Sequence, residues 1–343
     1  MATYNGERFL RQQLDSFSRQ TVPCCELVVC DDRSTDSTPN ILEDFSRSAP
    51  FPVHLVRNPE RLGYTANFLQ AAQMCQGNLI AFSDQDDEWL PNKIARLAQA
   101  SRDSNALLFA HAAEWIDDRG HPMGVVYPTD RRFRKYLDAS DFPGHAIAIR
   151  KRLLAITAGS LRAQTYKDIA GDSEFGHDVL FLELATALDK VLFIPEVLSR
   201  WRVYSAAGHA WTKAFNTTRD QKAGIAQRIY PQDLAEVYAK GAETFRRHGA
   251  FLTRVIENLK AETTEAAGAS LRLSSSVKLM NKRADVMALR ARLYESQSRN
   301  ERTKLLFQGA SMGQYRSAAH GGVGTHNALR DLLAIVARLP RPR

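Results

Sequence analysis

Glu26-Leu-Val-Val-Cys30-Asp31-Asp32 and Asn78-Leu-Ile-Ala-Phe82-Ser83-Asp84-Gln85-Asp86-Asp87 are built alike: a short apolar run that reads as a buried strand and breaks off in a cluster of carboxylates. Between them, Thr38 before Pro39 reads as an N-cap and first-turn residue opening a helix through about Phe45, and Pro52 to Val56 reads as another strand. Gly63 breaks the chain, and a helix from about Thr65 to Cys75 stops at Gly77. Upstream, Leu10, Leu14 and Phe17 recur at helical spacing until Pro23 closes the segment. The order strand, helix, strand, helix, strand predicts a parallel sheet with helices on its faces, in which ligands bind at the carboxyl ends of the strands. Both acidic clusters lie at such ends. Helix Asn92 to Arg102 and strand Leu107 to Ala110 continue the pattern, followed by a region from about Asp141 to Tyr204 with a Gly-containing strand, a helix after Asp178 and a strand near Leu192 to Ile194.

With 343 residues, 44% of them hydrophobic, the chain can bury one large core or two modest ones. No stretch approaches the roughly 20 apolar residues of a membrane-spanning helix, and Met1 to Leu10 lack a secretory pattern, so a cytoplasmic location is expected. The cysteines, Cys24, Cys25, Cys30 and Cys75, suit neither a disulfide framework nor zinc spacing and read as reduced thiols.

The net charge of +8 is uneven, because residues 272–343 carry 14 Lys or Arg against 4 Asp or Glu. Beyond about Trp211 the pattern turns helical, and Val277, Met280, Ala284, Met287, Ala291 and Tyr294 form one apolar stripe beside Lys278, Lys282, Arg283, Arg290 and Arg292. Such a helix either packs its stripe inside the protein or docks on an anionic membrane surface. His320-Gly-Gly-Val-Gly324 reads as a turn before a last helix, Asn327 to Arg338. Nucleic acid is not an expected partner, since the basic tail lacks interleaved aromatics for base stacking.

Carboxylates gathered at a strand end raise one another's pKa unless a cation compensates. Asp84, Asp86 and Asp87 are hard oxygen ligands suited to Mg2+ or Mn2+, which complete their shells with phosphate oxygens and water. The alternative is a solvated acidic turn capping the helix after Pro91 and Lys93.

Four segments together resemble family 2 glycosyltransferases, and most closely their bacterial rhamnosyltransferase-like subgroup. They are Ala2-Thr3-Tyr4-Asn5-Gly6-Glu7, Cys30 to Thr38, Asn58 to Gly63 with Asn67, and Phe82 to Lys93. The resemblance covers roughly residues 1–211 and implies α/β architecture of the GT-A type: a Rossmann-like nucleotide-binding half joined to an acceptor-binding half. Residues 212–343 would then form a helical basic region. By the same resemblance Thr3, Tyr4, Glu7, Asp32 and Asn67 would hold the nucleotide. Asp84 and Asp86 would be the DxD pair, with Asp84 nearer the ribose, Asp86 on the metal and Asp87 a possible addition. Gly144 to Arg150, Phe175-Gly-His177-Asp178, Pro195 to Leu198 and Arg200-Trp-Arg202-Val-Tyr204 extend the match. In similar enzymes the Asp of a His-Asp pair at a helix start is the base, which makes Asp178 the catalytic candidate with His177 beside it. A carboxylate there can take the proton of an attacking sugar hydroxyl. One base without a protein nucleophile implies a single inverting displacement.

The implied reaction moves a sugar from a dTDP- or UDP-sugar, rhamnose being favoured, to a lipid-linked or saccharide acceptor in cell-surface polysaccharide (O-antigen type) synthesis. The basic tail would hold the enzyme at the inner face of the bacterial plasma membrane. Two departures qualify the resemblance. Relatives run an apolar strand into the Thr-Tyr-Asn motif, whereas Met1 falls where that strand would finish, so the first strand is expected to be truncated. Relatives also show Tyr-Arg-Gln-His where this chain has Trp201-Arg202-Val203-Tyr204, which leaves His209 as a candidate substitute. A truncated, inactive nucleotide-binding subunit is the alternative function. A nucleotidyltransferase is disfavoured by the lack of a Gly-rich basic phosphate loop near the start.

Overall fold

The structure is a computed structural model that describes residues 1–128, 144–156, 166, 176–203, 231–259, 265–296 and 298–313. It divides into two compact units, one comprising Met1–Asp168, Phe175–Asn216 and Asn258–Ala269, the other Ile169–Glu174, Thr217–Glu257 and Ser270–Arg343.

The first unit opens with β1 (Ala2–Thr3), α1 (Leu10–Ser18), β2 (Leu27–Asp31), α2 (Thr38–Ser48), β3 (Val53–Arg57) and α3 (Tyr64–Met74). The three strands form a parallel sheet in the order β1-β2-β3, with Val29 opposite Leu55 and Thr3 opposite Asp31. Every residue of β2 is buried, as an apolar run covered on both faces must be. Leu10, Leu14 and Phe17 of α1 pack with Leu27, Val29, Leu42, Phe45 and Trp89 in one cluster. Thr38 is the first residue of α2 rather than its cap: Ser37 holds the cap position, and Thr38 Oγ1 instead accepts the Gly6 N–H at 2.8 Å.

A second sheet departs from the expected single parallel one. Here β4 (Leu79–Ala81), β5 (Glu88–Trp89), β6 (Leu108–Ile116), β7 (Pro122–Tyr127), β8 (Ile147–Arg150) and β9 (Val191–Arg202) lie in the order β4-β8-β6-β9-β5, with β7 on β6. Only β6 and β9 pair in parallel; β4–β8, β6–β8, β6–β7 and β5–β9 are antiparallel. The strand expected near Leu192–Ile194 continues to Arg202. It passes Pro195 by a bulge: His111 pairs with Ile194, but the next residue, Ala112, pairs with Val197. Helices α4 (Lys93–Asp103), α5 (Lys151–Ile156) and α6 (His177–Ala187) complete the described part of this unit.

The strand leading into the Thr-Tyr-Asn motif amounts to β1 alone, and the Met1 ammonium group is buried, donating to the Val28 carbonyl at 2.8 Å. Beside it lies an apolar cavity of about 330 Å³, bordered by Leu27 and Val28 of β2 on one side and by Leu79, Ile80 and Ala81 of β4 on the other.

In the second unit α7 (Pro231–Leu259) as far as Glu257, α8 (Glu265–Glu295) from Ser270 and α9 (Arg299–Ser311) pack Tyr238, Leu289, Leu293, Tyr294, Leu305 and Leu306 into a core of their own. Gly249 lets α7 approach α8 closely, since a Cβ there would stand 3.0 Å from Asn281 Oδ1. The expected stripe is real and is covered. Met280, Ala284, Ala291 and Tyr294 are buried, and Arg290, expected on the basic face, is buried with its guanidinium 4.3 Å over the Tyr238 ring. The stripe therefore packs inside the protein rather than facing outward. No helix among the described residues is long and apolar enough to cross a membrane. The proposed His320–Gly324 turn, the Asn327–Arg338 helix, Tyr204 and His209 lie outside the described residues.

Candidate active site

Two loops meet at the carboxyl ends of β2 and β4. Thr3 and Tyr4 leave β1 beside the end of β2, and the Tyr4 backbone exchanges hydrogen bonds with the Gln85 amide, N–H to Oε1 at 2.9 Å and Nε2 to the Tyr4 carbonyl at 3.0 Å. Gln85 thus ties the Thr-Tyr-Asn loop to the acidic loop. Its role was invisible in the sequence, because an amide pairing across 81 residues leaves no local pattern. Glu7 is tied to the start of α2 twice, its Oε2 accepting the Ser37 N–H at 2.9 Å and its own N–H donating to Asp36 Oδ2 at 3.1 Å.

The first acidic cluster is densely bonded. Asp31 accepts from Thr3 Oγ1 at 3.0 Å, the Ser34 N–H at 3.0 Å and the Ser34 hydroxyl. Asp32, buried, accepts the N–H groups of Leu62 at 2.7 Å and Gly63 at 3.0 Å and the Asn58 amide at 2.9 Å. It so fixes the turn in which Gly63 takes a φ of +83°, a value suited to glycine. Asn67 is buried, with Oδ1 accepting from Asn58 and Nδ2 donating to the Cys30 carbonyl, both at 2.9 Å. The Arg61 guanidinium covers the Tyr4 ring at 3.8 Å.

The second cluster gathers around His145, in the short helical turn Gly144–Ala146 before β8. His145 Nδ1 lies 3.0 Å from Asp87 Oδ2 and 3.6 Å from Asp84 Oδ2. One ligand atom from each of Asp84, Asp87 and His145 falls within 4.8 Å of the others, and Asp86 stays outside that triplet. Asp87 is fully buried: its Oδ1 accepts the Arg202 N–H at 2.9 Å, and its Oδ2 faces His145 Nδ1 without a hydrogen bond. Burial first, then the charges of Asp86 and Asp84, push the Asp87 carboxyl well above its usual range. Two carboxylates and an imidazole converging in this way suit a divalent cation that keeps open positions for other oxygens. Beneath them Lys93, wholly buried, donates to the His145 carbonyl at 2.8 Å and lies 4.0 Å over the Trp89 ring; burial pulls its pKa well down. His145 and Lys93 carried no assigned role in the sequence. The available signal was a histidine directly before the apolar run Ala146–Ile149, where a buried polar group needs partners.

His177 and Asp178 begin α6 and point differently. His177 is fully buried, stacked on Phe68 at 4.1 Å and near Phe82 at 4.8 Å, and neither ring nitrogen has a hydrogen-bond partner. A Cβ on Gly144 would meet its ring at 2.6 Å, so this glycine is what admits it. Burial pushes the His177 pKa down to about 3. An unfolded histidine takes up a proton near pH 6.5, so stability is fullest above that value and falls as pH drops from there toward 3. His177→Phe is expected to remove this residue's share of the slope: melting temperatures from pH 7.5 to pH 5 should fall less steeply in the variant. Identical slopes would refute the assignment. Asp178, half-buried, accepts the Val179 N–H at Oδ1, 2.9 Å away.

Arg202, the last residue of β9, is buried and reaches four acceptors: the Asp86 carbonyl from Nε at 2.8 Å, the Asp117 carbonyl from Nη1 at 3.0 Å, and Gln12 Oε1 and Glu88 Oε1 from Nη2 at 2.8 and 2.9 Å. It holds the acidic loop from behind.

Residues 1–156 match the family described as Glycosyl transferase family 2. Over 98 residues the chain is 37% identical to the dTDP-rhamnosyl transferase RfbG of Shigella flexneri, covering 27% of this chain and 34% of that protein. Over 223 residues it is 30% identical to an uncharacterized protein of Mycobacterium tuberculosis, covering 63% of this chain and 61% of that one. The chain thus matches about a third of the length of the first of these relatives and under two thirds of the second. The crystal structure of S. aureus TarS 1-349 in complex with UDP is similar at a TM-score of 0.50 and 15% identity, covering 82% of this chain and 88% of that chain. That likeness concerns the fold, which is of the GT-A type. The match to glycosyl transferase family 2 spans the first 156 residues, which hold both acidic clusters and His145.

Proposed function

We propose that the protein is an inverting, metal-dependent glycosyltransferase that moves a sugar from a dTDP- or UDP-sugar to an acceptor hydroxyl in the synthesis of a cell-surface polysaccharide. The observation that carries this reading is the convergence of Asp84, Asp87 and His145 in and beside the loop after β4, which the Gln85 amide ties to the Thr3-Tyr4 loop next to Asp31. Asp84 and Asp87, with Asp86 beside them and His145 completing the set, would hold Mg2+ or Mn2+, which when bound would stabilise the departing diphosphate. Tyr4, under the Arg61 guanidinium, offers a ring face for the base, while Thr3, Glu7, Asp32 and Asn67 shape the pocket through the contacts described. Asp178 would accept the acceptor's proton, and with no covalent intermediate the anomeric configuration inverts. A donor of the dTDP-rhamnose type is favoured by the name of the Shigella flexneri relative, and a lipid-linked or saccharide acceptor by the polysaccharide role. The excess of basic residues in 272–343 would add electrostatic attraction to an anionic membrane surface, without apolar insertion of the buried stripe.

Calorimetric titration of dTDP and UDP, with and without Mn2+, tests the site. Binding is expected to require the metal and to weaken at least tenfold in Asp84→Ala, about 1.4 kcal/mol or more. Metal-independent binding, unchanged in the variant, would overturn the metal assignment. No binding by folded protein would instead favour an inactive subunit.

A further inference from the structure

Tyr64 is the first residue of α3, directly after Gly63, whose N–H is held by Asp32. Its ring packs edge-on against Phe68 at 5.0 Å and against His177 at 5.5 Å. Its hydroxyl oxygen reaches the Cα side of Gly144, 3.4 Å from where a Cβ would stand, one residue from the His145 that contacts Asp84 and Asp87. The residue is nevertheless 42% exposed, so the ring borders open space rather than filling the core. Tyr64 thus joins three parts: the turn organised by Asp32, the cluster at the end of β4, and the start of α6, where Asp178 sits.

We propose that the Tyr64 hydroxyl donates a hydrogen bond to the sugar of the nucleotide-sugar donor, so that Tyr64 reads the sugar rather than the nucleotide. This rests on the nucleotide-sugar reading above. In a direct displacement the sugar lies between the departing diphosphate and the base, and Tyr64 touches a neighbour of each side: its hydroxyl lies beside Gly144, next to His145, and its ring against His177, next to Asp178. Charge supports the placement. A phenol ionises only near about pH 10, so the group is protonated and neutral at physiological pH. In a site crowded with carboxylates, a neutral O–H is a donor that sugar oxygens can accept. Packing alone would be served as well by phenylalanine, which keeps the ring and loses only the hydroxyl.

The test compares wild type with Tyr64→Phe by calorimetry in Mn2+, using dTDP, dTDP-L-rhamnose, UDP and UDP-glucose, with melting temperature as the check on folding. The wild type is expected to bind one sugar nucleotide more tightly than its nucleoside diphosphate. In Tyr64→Phe the gain from the sugar should shrink about tenfold, while nucleoside diphosphate affinity and melting temperature stay put. An unchanged gain, equal losses for both ligand types, or no gain from the sugar in the wild type would each overturn the role of Tyr64. A wild type that binds neither nucleoside diphosphate would overturn the function beneath it.

Discussion

Asp178→Asn is expected to bind nucleotide as the wild type does and to transfer sugar roughly a hundredfold to ten-thousandfold more slowly, the usual contribution of a general base. The isosteric amide keeps the shape of the side chain and its hydrogen-bond acceptor, so the Val179 N–H retains a partner and α6 its start. What it loses is the ability to accept a proton. A purely structural Asp178 predicts something else: a carboxylate at a helix N-terminus contributes about 0.3–1 kcal/mol to stability, and its loss would lower the melting temperature while leaving turnover per folded molecule unchanged. Measuring kcat, nucleotide affinity and melting temperature on the same preparation separates the two. The neighbouring His177 does not supply a substitute base, because it faces Phe68 and Phe82 and is held neutral and buried.

The sequence was readable where structure is local. β2, α2, β3, α3 and α4 fall within a few residues of the runs their apolar spacing announced, and the acidic clusters stand at strand ends as the alternation of strands and helices requires. Long-range pairing was not readable. Nothing in Asn78–Phe82 says that β4 pairs antiparallel with β8 instead of extending the first sheet, and Pro195 hid the second half of β9 until the bulge opposite His111 and Ala112 explained how the strand continues. The same limit applied at the site. Asp32, Asn67, Asp84 and Asp178 were singled out from their motifs, but the long-range contacts around them, His145 on Asp84 and Asp87, Gln85 on Tyr4, Lys93 on His145 and Tyr64 on His177, join segments far apart in the chain and follow no spacing rule. In α8 the stripe was legible, but not what covers it: Tyr238 and Leu305 come from other helices.

Replacing Arg202 is expected to have the largest combined effect, because one side chain holds the acidic loop to three other elements. In Arg202→Met the methylene stem can still pack on Phe9, over which the guanidinium now lies at 4.5 Å, but the Asp86 and Asp117 carbonyls, Gln12 and Glu88 lose their donor together. Removing one partner of a buried ionic network costs about 3–5 kcal/mol, since the groups left behind stay desolvated without compensation. Arg202→Lys is the sharper comparison. It restores the charge, yet a single ammonium cannot reach acceptors spread around a planar fork, so most of the loss should remain. The Arg202 N–H to Asp87 bond belongs to the backbone and survives both changes, so Asp87 itself keeps that anchor. Displacement should therefore appear first at Asp86 and the residues leading to it. The expected signature is a lower melting temperature in both variants, together with a loss of metal-dependent nucleotide binding in the fraction that remains folded. Were Arg202→Lys to melt and bind like the wild type, the guanidinium would be a source of charge and not a clamp, and the acidic loop would have to be held by Gln85 and His145 instead.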